Sequence, residues 1–101
     1  MKTRDPLDER TQSLRELREM PGIGPSLASD LYRLGIRRVS DLKRKKPETL
    51  YRRLEKLTGS RQDPCVLYTF RCAVYFSRTP KPDLRLLLWW NWKDATAPSA
   101  R

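Results

Sequence analysis

The stretch Leu17-Arg18-Glu19-Met20-Pro21-Gly22-Ile23-Gly24-Pro25-Ser26-Leu27-Ala28-Ser29-Asp30-Leu31 decides how this chain is read. Leading into it, Thr11 to Met20 has helical periodicity, with Leu14 and Leu17 facing one side and Arg15, Arg18 and Glu19 the other. Pro21 ends that helix, because it has no N–H to donate and its ring crowds the preceding turn. A second helix begins almost at once. Pro25 suits a first helical position, and Leu27, Ala28, Leu31 and Leu34 form its inward stripe. Between the two helices, Gly22 and Gly24 permit backbone angles and close approaches that a side chain forbids. The second helix directs its unpaired N–H groups and the positive end of its dipole at whatever lies against the turn. A phosphate is the natural ligand of such a place. The amides of Gly22, Ile23, Gly24 and Ser26 are the candidate cradle, with the Ile23 side chain tucked between the helices as a strut.

Outward from this unit, the pattern recurs in a looser form. Gly35 predicts the end of the second helix. Ile36 and then Val39-Ser40-Asp41-Leu42 predict a short helix, with Ser40 or Asp41 near its cap. After the basic run Lys43-Arg44-Lys45-Lys46, Pro47-Glu48 opens another helix with Leu50, Tyr51, Leu54 and Leu57 on one face, closed by Gly59. Asp63-Pro64 pairs a capping residue with a first helical residue. From there to about Ser77 the chain is apolar on nearly every side, the pattern of a buried central helix. Thr79-Pro80-Lys81-Pro82 breaks it, and Leu84 to Trp92 predicts a last short helix or extended segment. The expected architecture is a small all-α domain over residues 10–94. It has two tandem helix–turn–helix units (four helices), a buried fifth helix and a Trp-rich C-terminal lid, flanked by flexible tails at 1–9 and 95–101.

Met20-Pro21-Gly22-Ile23-Gly24 with Ala28 and Leu31 resembles the helix-hairpin-helix motif of DNA repair and recombination proteins. The resemblance implies contact with the sugar-phosphate backbone through hairpin amides, without sequence preference, and a possible monovalent cation held by hairpin carbonyls. Members commonly carry Lys or Arg where this chain has Ser26, so Arg33, Arg37 or Arg38 must supply the charge here. Gly35 to Leu42, Pro47-Glu48 and Leu50-Tyr51 are similar to the second half of small helix-hairpin-helix proteins. Gln62-Asp63-Pro64-Cys65-Val66-Leu67-Tyr68, Phe70 to Tyr75 and Trp89-Trp90-Asn91-Trp92-Lys93-Asp94 resemble one bacterial family, described as pathogenicity locus or mitomycin resistance protein-like. That family implies a small helical DNA-binding protein and no reaction.

Charge points the same way. The chain has 101 residues and a formal net charge of +10. Between Leu31 and Arg61 stand eleven Lys and Arg against three acids, Asp41, Glu48 and Glu55. An excess so concentrated predicts a polyanionic partner. Arg37 and Arg38, following the second helix, are the leading backbone-neutralising candidates with Arg33. Lys43, Arg44, Lys45 and Lys46 flank them, whereas Arg52, Arg53 and Lys56 read equally well as solubility charges. No apolar run exceeds five residues, far short of a membrane span, and the N-terminus lacks the apolar stretch of a signal peptide. A cytoplasmic protein without membrane contact is expected.

Catalytic signatures are sparse. There is no His and no Gly-x-Ser-x-Gly, and the carboxylates read as caps or surface charges. Cys65 and Cys72 lie seven residues apart on one helix, about 10 Å, too far for a disulfide within it. They read as core thiols. Cys65 at a helix N-terminus, where a thiol pKa can fall, is the one enzyme-like feature. Trp89, Trp90 and Trp92 predict a hydrophobic lid, a stacking platform for unpaired bases, or a self-association patch. Two functions of different class follow. One is sequence-independent DNA binding through the hairpin and the basic face, with no cofactor beyond that cation. The other is an interaction module that docks an acidic protein and uses the hairpin only for packing. A thiol enzyme is a weaker third.

Overall fold

A computed structural model describes residues 6–93. Four α-helices are present: α1 (Pro6–Leu17), α2 (Pro25–Arg33), α3 (Pro47–Thr58) and α4 (Pro64–Arg78). Three 3-10 helices join them, at Val39–Leu42, Leu84–Leu87 and Trp89–Trp92, and no strand occurs among the described residues. The domain is therefore all-helical. The four-residue 3-10 turn at Val39–Leu42 stands where a short helix was expected, so the element before α3 is a single tight turn. Among the described residues, no helix is long and apolar enough to cross a membrane.

Prolines begin the helices and glycines end two of them. Pro25, Pro47 and Pro64 each occupy a first-turn position, where the missing N–H costs nothing. At the end of α2 the chain turns back through Gly35 (φ +94). Gly35 N–H donates to Tyr32 O (3.0 Å) and Ile36 N–H to Leu31 O (2.9 Å), the paired bonds of a Schellman motif. Ile36 and Leu31 are both buried, so the cap also closes an apolar contact. Gly59 (φ +71) ends α3 in the same left-handed conformation. α1 starts at Pro6, so residues 6–9, read as tail, are helical, and it stops at Leu17 rather than Met20. Its last turn tightens: Glu19 N–H bonds Glu16 O and Met20 N–H bonds Leu17 O. That tightening satisfies orphan carbonyls and swings Met20 inward, to 2% exposure. The tail readings for residues 1–5 and 95–101 lie outside the described residues.

The core gathers Leu17, Met20, Ile23, Ala28, Leu31 and Leu34 from the α1–α2 half with Leu42, Leu50, Leu54, Phe70, Ala73 and Val74 from the other. α1 packs on α2, while α4 packs on α3 and on all three 3-10 helices. α4 is the central element of the packing. It buries Phe70, Cys72, Ala73 and Val74 but leaves Cys65, Val66, Leu67 and Tyr75 half-covered. The 3-10 helix Trp89–Trp92 decides how the tryptophans face. With three residues per turn, Trp89 and Trp92 share a side and Trp90 points away. Trp92 is buried against Tyr75, its Nε1 donating to Leu86 O (2.7 Å), whereas Trp90 is 49% exposed. Arg71, on α4, clasps this segment by donating to Trp92 O (2.8 Å) and to Glu48 of α3 (3.2 Å).

Candidate nucleic-acid interface

Between α1 and α2, Ile23 N–H donates to Met20 O (3.2 Å) across Pro21-Gly22, and Gly22 has φ +79. Pro at the second position and a positive-φ glycine at the third are the marks of a type II turn. Ile23 is 4% exposed and serves as the expected strut, but its amide is spent on closing the turn. It is therefore not one of the open donors. Gly24 caps α2 with no side-chain hydrogen bond, and Ala28 N–H takes its carbonyl (2.9 Å). Pro25 has no N–H. Within Gly22–Leu27, the amides of Gly22, Gly24, Ser26 and Leu27 have no partner among the described residues. Leu27 was missed from the sequence, although counting the orphan donors of a helix first turn finds it. On the acceptor side, the Pro21, Gly22 and Ile23 carbonyls have no hydrogen-bond donor among the described residues.

The two glycines of the turn differ. A Cβ on Gly22 would stand 3.2 Å from Thr69 Cγ2 and 3.7 Å from Trp89 Cδ1. Its bareness serves the fold, which presses the turn onto α4 and the tryptophan segment. Gly24 has φ −90, and a Cβ there would meet nothing within 4 Å. Nothing inside the molecule needs glycine at that place. Its open side faces outward, beside the free amides, where Ser26 is exposed.

The cations lie at the far end of α2, whose nine residues span about 13 Å. Arg33 is exposed and only loosely paired, 3.8 Å from Asp30. Burial raises the Asp30 pKa, and Arg33 partly opposes that rise. Arg37 folds back. Its guanidinium lies 3.8 Å from the Tyr32 ring centre and donates to Tyr32 O (2.7 Å). Arg37 and Arg38 line a cleft with Glu9, Gln12, Ser13 and Glu16 of α1, so they face α1 and not the hairpin. Lys43, Arg44, Lys45 and Lys46 are all exposed. Their backbone is pinned by Arg78, which donates to Lys43 O (2.6 Å) and Lys45 O (3.5 Å). Asp41 accepts the Arg37 and Arg38 amides (2.9 and 3.1 Å), and Glu16 accepts the Val39 amide (2.7 Å). The cationic loop is thus ordered by three carboxylate bonds and one arginine. Sequence spacing gave no sign of Arg78, because it lies 35 residues from Lys43.

Cys65 sits in the first turn of α4, but its pKa is raised, first because of its hydrogen bond with Asp63. Burial and the Asp63 charge raise it further, and Lys93 partly opposes the rise. Burial pushes Cys72 up to about 11. Both are free cysteines, and among the described residues no group of three or more His, Cys, Asp or Glu gathers as a metal site.

Comparison with known proteins now places the chain. Residues 10–97 match the family described as Pathogenicity locus (Cdd1). The chain belongs to this family. The Pathogenicity locus chain is also 36% identical over 59 residues to the mitomycin resistance protein McrB of Streptomyces lavendulae. That match covers 58% of the chain and 56% of McrB, so it spans little more than half of that relative. No solved structure matches the chain.

Proposed function

We propose that this Pathogenicity locus protein binds DNA along the sugar-phosphate backbone, without reading sequence and without catalysing a reaction. The α1–turn–α2 unit acts as a helix-hairpin-helix. The 3-10 turn at Val39–Leu42 with α3 is a shortened second copy, packed on α4. One phosphate sits at Gly24, held by the amides of Gly22, Gly24, Ser26 and Leu27. Arg33 and the Lys43–Lys46 loop meet the backbone about 13 Å away. The turn carbonyls suit a monovalent cation that would further favour the phosphate.

The observation that carries this reading is Gly24: a bare, outward-facing residue that the fold itself does not need, whose amide is unpaired along with those of Gly22, Ser26 and Leu27. A module that used the turn only for packing has no use for that opening. The test is fluorescence anisotropy of labelled DNA against salt, with wild type, Gly24→Val and a variant with Lys43–Lys46 changed to Gln. Gly24→Val keeps its helicity and loses at least tenfold in affinity. The loop variant flattens the salt slope by about 0.7–0.9 for each phosphate it no longer neutralises. Undiminished binding by Gly24→Val, with the loop variant alone inactive, makes the turn scaffold and favours an acidic protein as the partner of the basic face.

A further inference from the structure

We propose that the preferred nucleic acid is single-stranded, with an unpaired base stacked on the exposed ring of Trp90 while the adjoining backbone lies at the Gly22–Gly24 turn. This rests on the DNA-binding reading and names the form of DNA it takes. The juxtaposition is tertiary. Trp89 stands 3.7 Å from where a Gly22 Cβ would be, and Trp90 stands edge-on to Trp89, ring centres 5.6 Å apart at 83°. A ring with half its surface open therefore sits one indole away from the open amides.

The platform is rigid. Trp92 is buried below it, Arg71 holds the Trp92 and Lys93 carbonyls, and Asn91 donates to Arg85 O (2.6 Å). The 3-10 geometry then keeps Trp90 turned outward. Stacking on an aromatic needs a free base face, which a paired and stacked duplex does not offer. Charge selects the occupant. A second copy carries the same +10 and is repelled, whereas a polyanion is drawn to the chain, and Lys93, three residues after Trp90, is exposed.

Anisotropy titrations of the full chain test this with three labelled probes of one length: a dT oligomer, its abasic counterpart of equal charge, and a duplex. Wild type binds the dT oligomer about tenfold more tightly than the abasic one. Trp90→Ala brings the two to parity and leaves abasic affinity unchanged, while Trp90→Phe retains most of the difference. Circular dichroism verifies that both variants are folded. Equal wild-type affinity for dT and abasic probes, a difference that survives Trp90→Ala, or tighter binding of the duplex than of dT overturns the inference. If all probes bind with a salt slope and Trp90→Ala alters none of them, the backbone reading stands and this one falls. If no probe binds at low salt, both fall. Concentration-dependent sedimentation of the protein alone, abolished by Trp90→Ala without change in dT binding, makes the ring a contact between copies and also overturns it.

Discussion

The two turns that bound α2 begin alike and diverge at once. Each opens with a positive-φ glycine, Gly22 at +79 and Gly35 at +94. Gly22 lies under Thr69 and Trp89, whereas an added Cβ at Gly35 would meet nothing within 4 Å. The first turn has no charged side chain from Met20 to Leu27 and offers oriented amides. The second leads into Arg37, Arg38 and the Lys43–Lys46 run and offers charge on a backbone whose Arg37 and Arg38 amides donate to Asp41. Geometry and charge, which one phosphate site could combine, are here separated by the length of a helix. An excess of Lys and Arg near a motif in sequence does not place it at the motif in space.

The largest break in this comparison comes from the helix that spans it. Leu31 is fully buried on α2, so Leu31→Ala costs about 2–5 kcal/mol, a large part of what a domain of this size has. Urea unfolding measures it, and a loss under about 1 kcal/mol contradicts the packing described. Next are the glycines themselves. Gly22→Ala combines left-handed strain with pressure on a buried, hydrogen-bonded Thr69 and costs about 2–3 kcal/mol. Gly35→Ala carries the strain alone, about 1–2 kcal/mol. Equal midpoint shifts in the two variants would show that the α4 contact adds nothing. Glu16→Ala removes the acceptor of the Val39 amide and loosens only the cationic turn, at about 1–2 kcal/mol. Faster amide exchange at Val39, with Ile23 unchanged, is its signature. Gly24→Ala is the smallest in stability, within about 0.5 kcal/mol, because its φ suits any residue and its Cβ meets open space. A larger loss would return Gly24 to the service of the fold.

Much of the fold was legible because local rules are strong at helix ends. Pro25, Pro47 and Pro64 begin helices, Gly35 and Gly59 end them, and the Leu31, Leu50 and Leu54 stripes point inward as their spacing requires. The turn of the candidate site was legible for the same reason, down to the buried Ile23 strut. Less was legible where two local signals compete. Cys65 sits at a helix N-terminus beside Asp63, and its hydrogen bond with Asp63 is the first cause that raises its pKa. Val39–Leu42 is too short for periodicity to separate a 3-10 turn from an α-helix.

The sequence by itself determined where α2, α3 and α4 begin, the inward positions Leu31, Leu50 and Leu54, the turn at Pro21-Gly22 and the sign of the charge, although Leu57, read on the same face as Leu54, is 46% exposed. Each depends on residues within one or two turns of one another, where propensity, capping and spacing act directly. Only the tertiary structure decided which amides stay open, that Arg37 and Arg38 turn toward α1, and that Arg78 orders the basic loop. It also brought Trp89 beside Gly22, 67 positions away in the chain, with Trp90 edge-on to Trp89. Contacts at that separation follow from how α4 packs against its neighbours, and no local pattern encodes them.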